Sequence, residues 1–240
     1  MYLTQPLHRS VQQHPDRIAV RWGEKSRSFG EFAERVARFA AALQQLGVQP
    51  GDRVAMLSLN SERYLEYQMA VPWAGAVLNP CNIRWSPAEI LYSLEDSGSV
   101  VLLVDDTFKG MVQQFRREST TLREFIHCGD GKPPEGMHSY EALVAQNKPV
   151  PDALRRGDDL AGIFYTGGTT GFPKGVMLSH TNLCISGLAA RAEGLARPGG
   201  TYLHAAPMGQ RADRGRACLH WVEGNTHSVI PMFDPGRLLY

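Results

Sequence analysis

No apolar run in this 240-residue sequence exceeds five residues, as at 100–104. A helix that spans a membrane needs ~20. Charge has no dominant sign either: 25 basic residues stand against 24 acidic ones. No basic field is therefore available to hold a nucleic-acid backbone or an anionic membrane surface. Cysteine is scarce and dispersed. Cys81, Cys128, Cys184 and Cys218 contain no CxxC pair and are too few for a disulfide scaffold, which leaves thiols in a reducing compartment as the simplest reading. The opening residues, MYLTQPLHRSVQQHPDRIAV, show no charged-then-apolar leader. These absences predict a cytoplasmic protein with neither a membrane span nor a nucleic-acid partner. Disorder is excluded too, because 43% hydrophobic and 20% charged residues are ordinary for a globular chain. The length suits one or two compact units.

What is present alternates between helical and strand patterns. Ser28-Phe29-Gly30-Glu31 reads as a capping box, followed by an apolar stripe of Phe32, Val36, Phe39, Leu43 and Leu46 at helical spacing. Gly47 supplies a left-handed stop. Residues 53–58 read as a strand and 61–74 as a helix that Pro72 kinks or ends. Ser86-Pro87-Ala88-Glu89 starts another helix, which closes at Gly98. Residues 99–104 (SVVLLV) then read as a strand buried on both faces. A helix near 107–118, a strand near 123–128, a Gly/Pro-rich loop at 129–136 and a strand at 160–165 follow. Ser179 caps a helix from 180 to about 193. Strands alternating with helices of this length predict an α/β fold, a mostly parallel sheet with helices on both faces.

One segment carries chemistry. Tyr165-Thr166-Gly167-Gly168-Thr169-Thr170-Gly171-Phe172-Pro173-Lys174-Gly175 follows one apolar strand and precedes another. Glycines let backbone N–H groups converge on an anion, threonine hydroxyls add donors, and Lys174 adds a mobile point charge. A bland surface hairpin is the alternative, but it does not account for so dense a set of donors. The loop is not a Walker A motif, because Gly175 rather than Ser or Thr follows Lys174, and it is not a GxGxxG turn.

The stretch YTGGTTGFPKGVMLSHTNL (165–183) resembles the phosphate-loop signature of the AMP-forming acyl-CoA synthetases of fatty-acid CoA ligase type, within the acyl-adenylate superfamily. The family's commonest form has Ser where Gly167 stands. HPDRIAV (14–20), LGVQPGDRVA (46–55), YLEYQMAVPWAGAVLNPCN (64–82) and SPAEILYSLEDSG (86–98) resemble its N-terminal region in the same order. The resemblance covers 3–208 closely and 222–235 more loosely. It implies the truncated N-terminal part of the acyl-adenylate-forming fold. It also implies that Thr166, Gly167, Gly168, Thr169, Thr170, Gly171 and Lys174 wrap the β- and γ-phosphates of ATP, with Thr169 and Thr170 near Mg²⁺. The family reaction joins a carboxylate to the α-phosphorus with loss of pyrophosphate, then passes the acyl group to a thiol, usually coenzyme A. Its partners are thus ATP and a small carboxylic acid.

The resemblance stops short of a complete catalyst. The chain has about half the family's usual length, with no counterpart of the acidic Mg²⁺ motif, the ribose-binding Asp, the hinge or the C-terminal domain bearing the catalytic lysine. No catalytic residue is therefore assigned. The expectation is that this chain carries the phosphate-loop half of a ligase, the alternative being a truncated remnant that binds nucleotide weakly or not at all. Residues 51–190 are expected to be the best-packed block, with 1–50 and 200–240 lacking partners. After Ala206-Pro207-Met208 the family has Phe-His, whereas this chain has Gly209-Gln210-Arg211. The arginine-rich 210–216 reads as a solvated charged helix face or as an altered segment, so acyl specificity cannot be taken from it. His180 reads as a capping or packing residue, and His204 and His227 as ordinary sheet residues. Trp22, Trp73, Trp85 and Trp221 read as core or interface aromatics, and Asp105-Asp106 as a helix cap.

Overall fold

The computed structural model describes residues 1–167 and 172–233, apart from the side chains at 211, 212 and 214. In chain order its elements begin with α1 (Gln5–Gln13), β1 (Ile18–Trp22), β2 (Lys25–Ser28), α2 (Phe29–Gln45) and β3 (Arg53–Leu57). Next come α3 (Glu62–Trp73), β4 (Val77–Pro80), α4 (Pro87–Ser97) and β5 (Ser99–Val104). A short 3-10 turn (Lys109–Met111) leads into α5 (Val112–Glu118), β6 (Glu124–His127), β7 (His138–Ser139) and α6 (Tyr140–Gln146). The last elements are β8 (Leu160–Thr166), β9 (Lys174–Ser179), α7 (His180–Ala192), β10 (Thr201–His204), α8 (Arg211–Glu223) and β11 (Thr226–Val229).

Local chemistry explains several of these boundaries. The predicted capping box of Ser28 with Glu31 starts α2, and the predicted helix start at Ser86 is also a capping box, with Glu89, at α4. Each satisfies two backbone N–H groups that the first helical turn leaves unpaired. Gly98 ends α4 in the left-handed conformation. Pro72 lies in the last turn of α3, which ends one residue later at Trp73. The apolar stripe of α2 is its packing face, with Phe29, Phe32, Val36, Phe39 and Leu43 wholly buried.

Seven strands form the larger sheet in the order β7-β6-β5-β3-β4-β8-β9. All its pairs are parallel except β8 with β9. Four strands form the smaller sheet, β10-β11-β1-β2, in which β1 and β2 make an antiparallel hairpin. This is the predicted α/β class, with mostly parallel sheets.

The small sheet corrects one expectation. Among the described residues the two end regions do not lack partners; they pair with each other. β1 runs parallel to β11, with Val20 opposite His227. The Thr226 hydroxyl donates to the Ile18 carbonyl at 2.7 Å. Arg9 and Arg17 donate to the carbonyls of Val222 and Gly224. Trp221 of α8 stacks on Phe32 of α2 at 5.2 Å. An apolar helix face and a returning strand meet across some two hundred residues, which local periodicity cannot anticipate.

Candidate phosphate-binding hairpin

The glycine- and threonine-rich loop is the turn of the β8–β9 hairpin, at one edge of the seven-stranded sheet. β8 is held inside by Ala161, Gly162, Ile163 and Phe164, all buried. β9 is the edge strand, with Lys174 through Met177 exposed. The ladder runs up to Thr166 opposite Lys174, and the Thr166 hydroxyl donates to the Lys174 carbonyl at 3.5 Å. The predicted residues Thr166, Gly167 and Lys174 are thereby brought together at the mouth of the turn, all three exposed. Gly168, Thr169, Thr170 and Gly171 lie outside the described residues.

Two aromatic residues fix the base of this turn to α4. The Tyr165 hydroxyl donates to Asp96 at 2.5 Å, while Phe172 stacks on Tyr92 with ring centres 4.8 Å apart. Burial, reinforced by the Asp96 charge, pushes the Tyr165 phenol well above its ordinary range, so it stays a neutral donor. Tyr92 and Asp96 sit four apart on one face of α4. Sequence reading missed both, because nothing in their spacing ties them to a loop some seventy residues onward. Lys174 makes no ion pair among the described residues, which leaves its ammonium available to an anion. Among the described residues, the mouth of the turn thus presents the Tyr165 and Thr166 hydroxyls and a lysine without an ion pair.

Gly167 differs from the sequence expectation in one respect. Its φ is not in the left-handed region, and a Cβ there would meet no described residue within 4 Å. Its backbone does not demand glycine. That agrees with the serine commonly found there in the family that the sequence resembles.

Other singled-out residues are structural. Ser179 caps α7 through Asn182, and His180 is buried, accepting from the Leu3 N–H at 3.2 Å. Asp105 accepts from the N–H groups of Thr107 and Phe108 at 2.9 and 3.2 Å, which closes the turn after β5; it does not cap a helix as expected, because α5 starts only at Val112 and has no side-chain cap. Trp73 and Trp221 are buried in the core. Trp85 packs edge-on to Tyr165 at 6.4 Å, beside the turn.

The segment after Met208 needs a fuller correction. A Cβ on Gly209 would lie 2.9 Å from the Tyr64 hydroxyl and 3.0 Å from the Cys81 carbonyl. The backbone path taken here has no room for the phenylalanine of the resembling family. The 210–216 stretch is not simply a solvated charged face, although Arg216 is exposed. Asp213 is buried, accepts from the Tyr202 hydroxyl at 2.8 Å, and meets His204 Nδ1 at 2.8 Å. His204 Nε2 in turn contacts His227 Nδ1 at 2.8 Å. His204 and His227 are thus sheet residues, but sheet residues joined in a buried polar chain. His227 Nε2 has no partner among the described residues. Burial, then the neighbouring His204 and His220, holds the His227 imidazole well below its ordinary value.

This architecture is a mostly parallel α/β assembly whose edge hairpin carries a Gly/Thr/Lys turn. The chain belongs to the AMP-binding enzyme family, whose pattern matches residues 7–239. It is 43% identical over 170 residues to a long-chain-fatty-acid–CoA ligase of Thermus thermophilus, covering 70% of this chain and 31% of that protein. It is 34% identical over 232 residues to a feruloyl-CoA synthase of an Amycolatopsis species, covering 96% of this chain and 44% of that one. Among solved structures, ATP-bound MatB from Rhodopseudomonas palustris matches with a TM-score of 0.84 and 26% identity, covering all of this chain and 47% of that one. The chain therefore spans between about a third and a half of the length of these relatives. Among the described residues, no helix is long and apolar enough to cross a membrane.

Proposed function

We propose that this chain supplies the nucleotide-phosphate site of an ATP-dependent acid–CoA ligase, one that converts a carboxylic acid, of the fatty-acid class, to an acyl-adenylate and then to an acyl-CoA. The observation that carries the reading is the β8–β9 turn. Lys174, exposed and without an ion pair among the described residues, and the Thr166 hydroxyl flank a run of glycines and threonines at an open sheet edge. Thr166, Gly167, Gly168, Thr169, Thr170, Gly171 and Lys174 are the proposed contacts to the β- and γ-phosphates. Backbone N–H groups position the triphosphate, and Lys174 offsets its charge. Mg²⁺ would arrive with ATP. The loop offers it hydroxyls but no carboxylate, so phosphate oxygens and water would supply most of its ligands. The fatty-acid class rests on the 43% identity to the Thermus ligase, and coenzyme A as acceptor on both named relatives.

Calorimetric titration of the chain with ATP tests the phosphate role: Lys174→Ala should weaken binding about tenfold, as loss of one charge-assisted contact would. ATP affinity indifferent to that change would overturn it. The substrate is tested in the polypeptide of the relatives' full length, by exchange of labelled pyrophosphate into ATP. The exchange should depend on added medium- or long-chain fatty acid. Exchange driven only by aromatic acids would overturn the fatty-acid assignment and leave the phosphate role standing.

A further inference from the structure

Helices α7 and α8 pack side by side and cross at Gly187. A Cβ on Gly187 would lie 3.2 Å from both the Cβ and the backbone carbon of Cys218. The two helices are therefore in close contact, and a larger residue at 187 would have to displace Cys218 by a few tenths of an ångström. Cys184 stands three residues before Gly187 in α7, on the same face of the helix. The two thiols, Cys184 and Cys218, line one small apolar cavity together with Met69, Ala217 and Trp221. Cys184 also borders a cleft of about 460 Å³ that opens to solvent between α1 and α7. A small oxidant has a route to this pair.

We propose that Cys184 and Cys218 are a paired modification site, at which a hydroperoxide forms a disulfide that fastens α7 to α8. In the first step one thiolate attacks a peroxide oxygen. The S–O bond forms, the O–O bond breaks, and the departing hydroxide or alkoxide takes up a proton to leave as water or alcohol. The second thiolate then attacks the sulfenic sulfur, forming the S–S bond and expelling hydroxide, which takes up a proton to become water. Two thiols are oxidised by two electrons and one hydroperoxide is reduced. The other cysteines are excluded by their surroundings. Cys81 and Cys128 are buried, and burial pushes the Cys81 thiol up to about 12. Burial and then the nearby Cys218 raise Cys184 only to about 11, which makes the reaction slow at neutral pH without barring it.

The link would join the helix that follows the phosphate hairpin to the helix that closes the small sheet. It would close a loop of about 34 residues, which favours the folded state by restricting the unfolded one.

The test is to expose the folded chain to hydrogen peroxide at about pH 8.5, alkylate it after denaturation, and map the peptides by mass. The expected result is a loss of about 2 Da, one cross-linked peptide containing Cys184 and Cys218, and alkylated Cys81 and Cys128. Cys184→Ser and Cys218→Ser should each abolish the loss, and the oxidised wild type should melt on the order of 5 °C higher than the reduced one. A sulfinic acid at Cys184 beside an alkylated Cys218 would overturn the proposal. So would a disulfide between molecules, one that involves Cys81 or Cys128, or an unchanged mass. If a serine variant fails to fold, the wild-type peptide map alone decides.

Discussion

Gly175 faces Tyr165 across the β8–β9 ladder, and the space its missing Cβ would take lies 3.0 Å from the Tyr165 ring and 2.8 Å from Ile163 Cγ2. The ring in turn is tied to Asp96, so it cannot swing away without losing that bond. Gly175→Ala should therefore destabilise the chain by about 1–3 kcal/mol through overpacking, as read by urea denaturation. The same variant should weaken ATP binding, because the hairpin that carries the turn is displaced. Wild-type stability in this variant would show that the contact relaxes freely.

The glycines of the turn should not be equivalent. Gly167→Ser places its side chain clear of every described residue at an ordinary φ and should change stability by less than about 0.5 kcal/mol, with ATP affinity retained. Gly168→Val and Gly171→Val should abolish binding, since a β-branched residue blocks the close approach of backbone N–H groups to a phosphate. Lys174→Ala should fall between. Calorimetry on the four variants checks the order, and Gly167→Ser ranking among the abolished ones would refute it.

How much of this could be read from the sequence depended on how locally each feature is encoded. The caps of α2 and α4, the stop at Gly98 and the two strands on either side of the Gly/Thr loop are each written within a few consecutive residues and were legible; that those strands pair as a hairpin was not. The pairing of Val20 with His227 was not, because each strand is ordinary alone and only their meeting makes the small sheet. Asp213 was misread for the same reason. Its arginine neighbours mark 210–216 as solvated, and the two partners that bury it, Tyr202 and His204, come from a different strand. Tyr92 and Asp96, which hold the turn, belong to a helix chosen for its apolar face rather than for the loop it supports.

Glu95 gathers the turn between α5 and β6 onto α4. It accepts from the Ser119 hydroxyl, from the Thr120 hydroxyl and N–H at 2.5 and 3.1 Å, and from the Thr121 hydroxyl at 3.0 Å. Burial pushes this carboxyl up, but the hydroxyl and N–H donors outweigh it and hold it at about 2, against an ordinary value of 4.5. A carboxylate whose folded value is depressed stabilises the fold above its unfolded value, and that stability is lost as pH falls toward the folded one. Glu95→Gln should cost about 1 kcal/mol at neutral pH, a figure kept small because the group is largely in contact with solvent. The difference from wild type should shrink between about pH 4.5 and 2. A difference that persists unchanged to pH 2 would sink this account of the turn.

A second acid-sensitive element acts in a separate window. Asp213 Oδ2 meets His204 Nδ1 and His204 Nε2 meets His227 Nδ1, each at 2.8 Å; His227 Nε2 has no partner among the described residues, and its ring stacks on Trp221 with centres 4.0 Å apart. The His227 imidazole is held neutral by burial and by repulsion from His204 and His220, well below its ordinary value of 6.5. The unfolded chain takes up a proton there as pH falls through 6.5, while the folded chain does not. Stability is therefore complete above 6.5 and declines below it, by about 1.4 kcal/mol per pH unit for one such group. His227→Phe keeps an aromatic ring against Trp221 and removes the titration. It should lower stability at pH 7 by about 1–3 kcal/mol, because buried His204 Nε2 loses its hydrogen-bond partner. Its stability should then fall less steeply between pH 6.5 and 5, by roughly that 1.4 kcal/mol per unit. Urea denaturation at three pH values measures both quantities. Parallel pH dependences in the two proteins would show that His227 titrates alike in the folded and unfolded chains, and that the buried chain from Asp213 to His227 does not make the small sheet acid-labile.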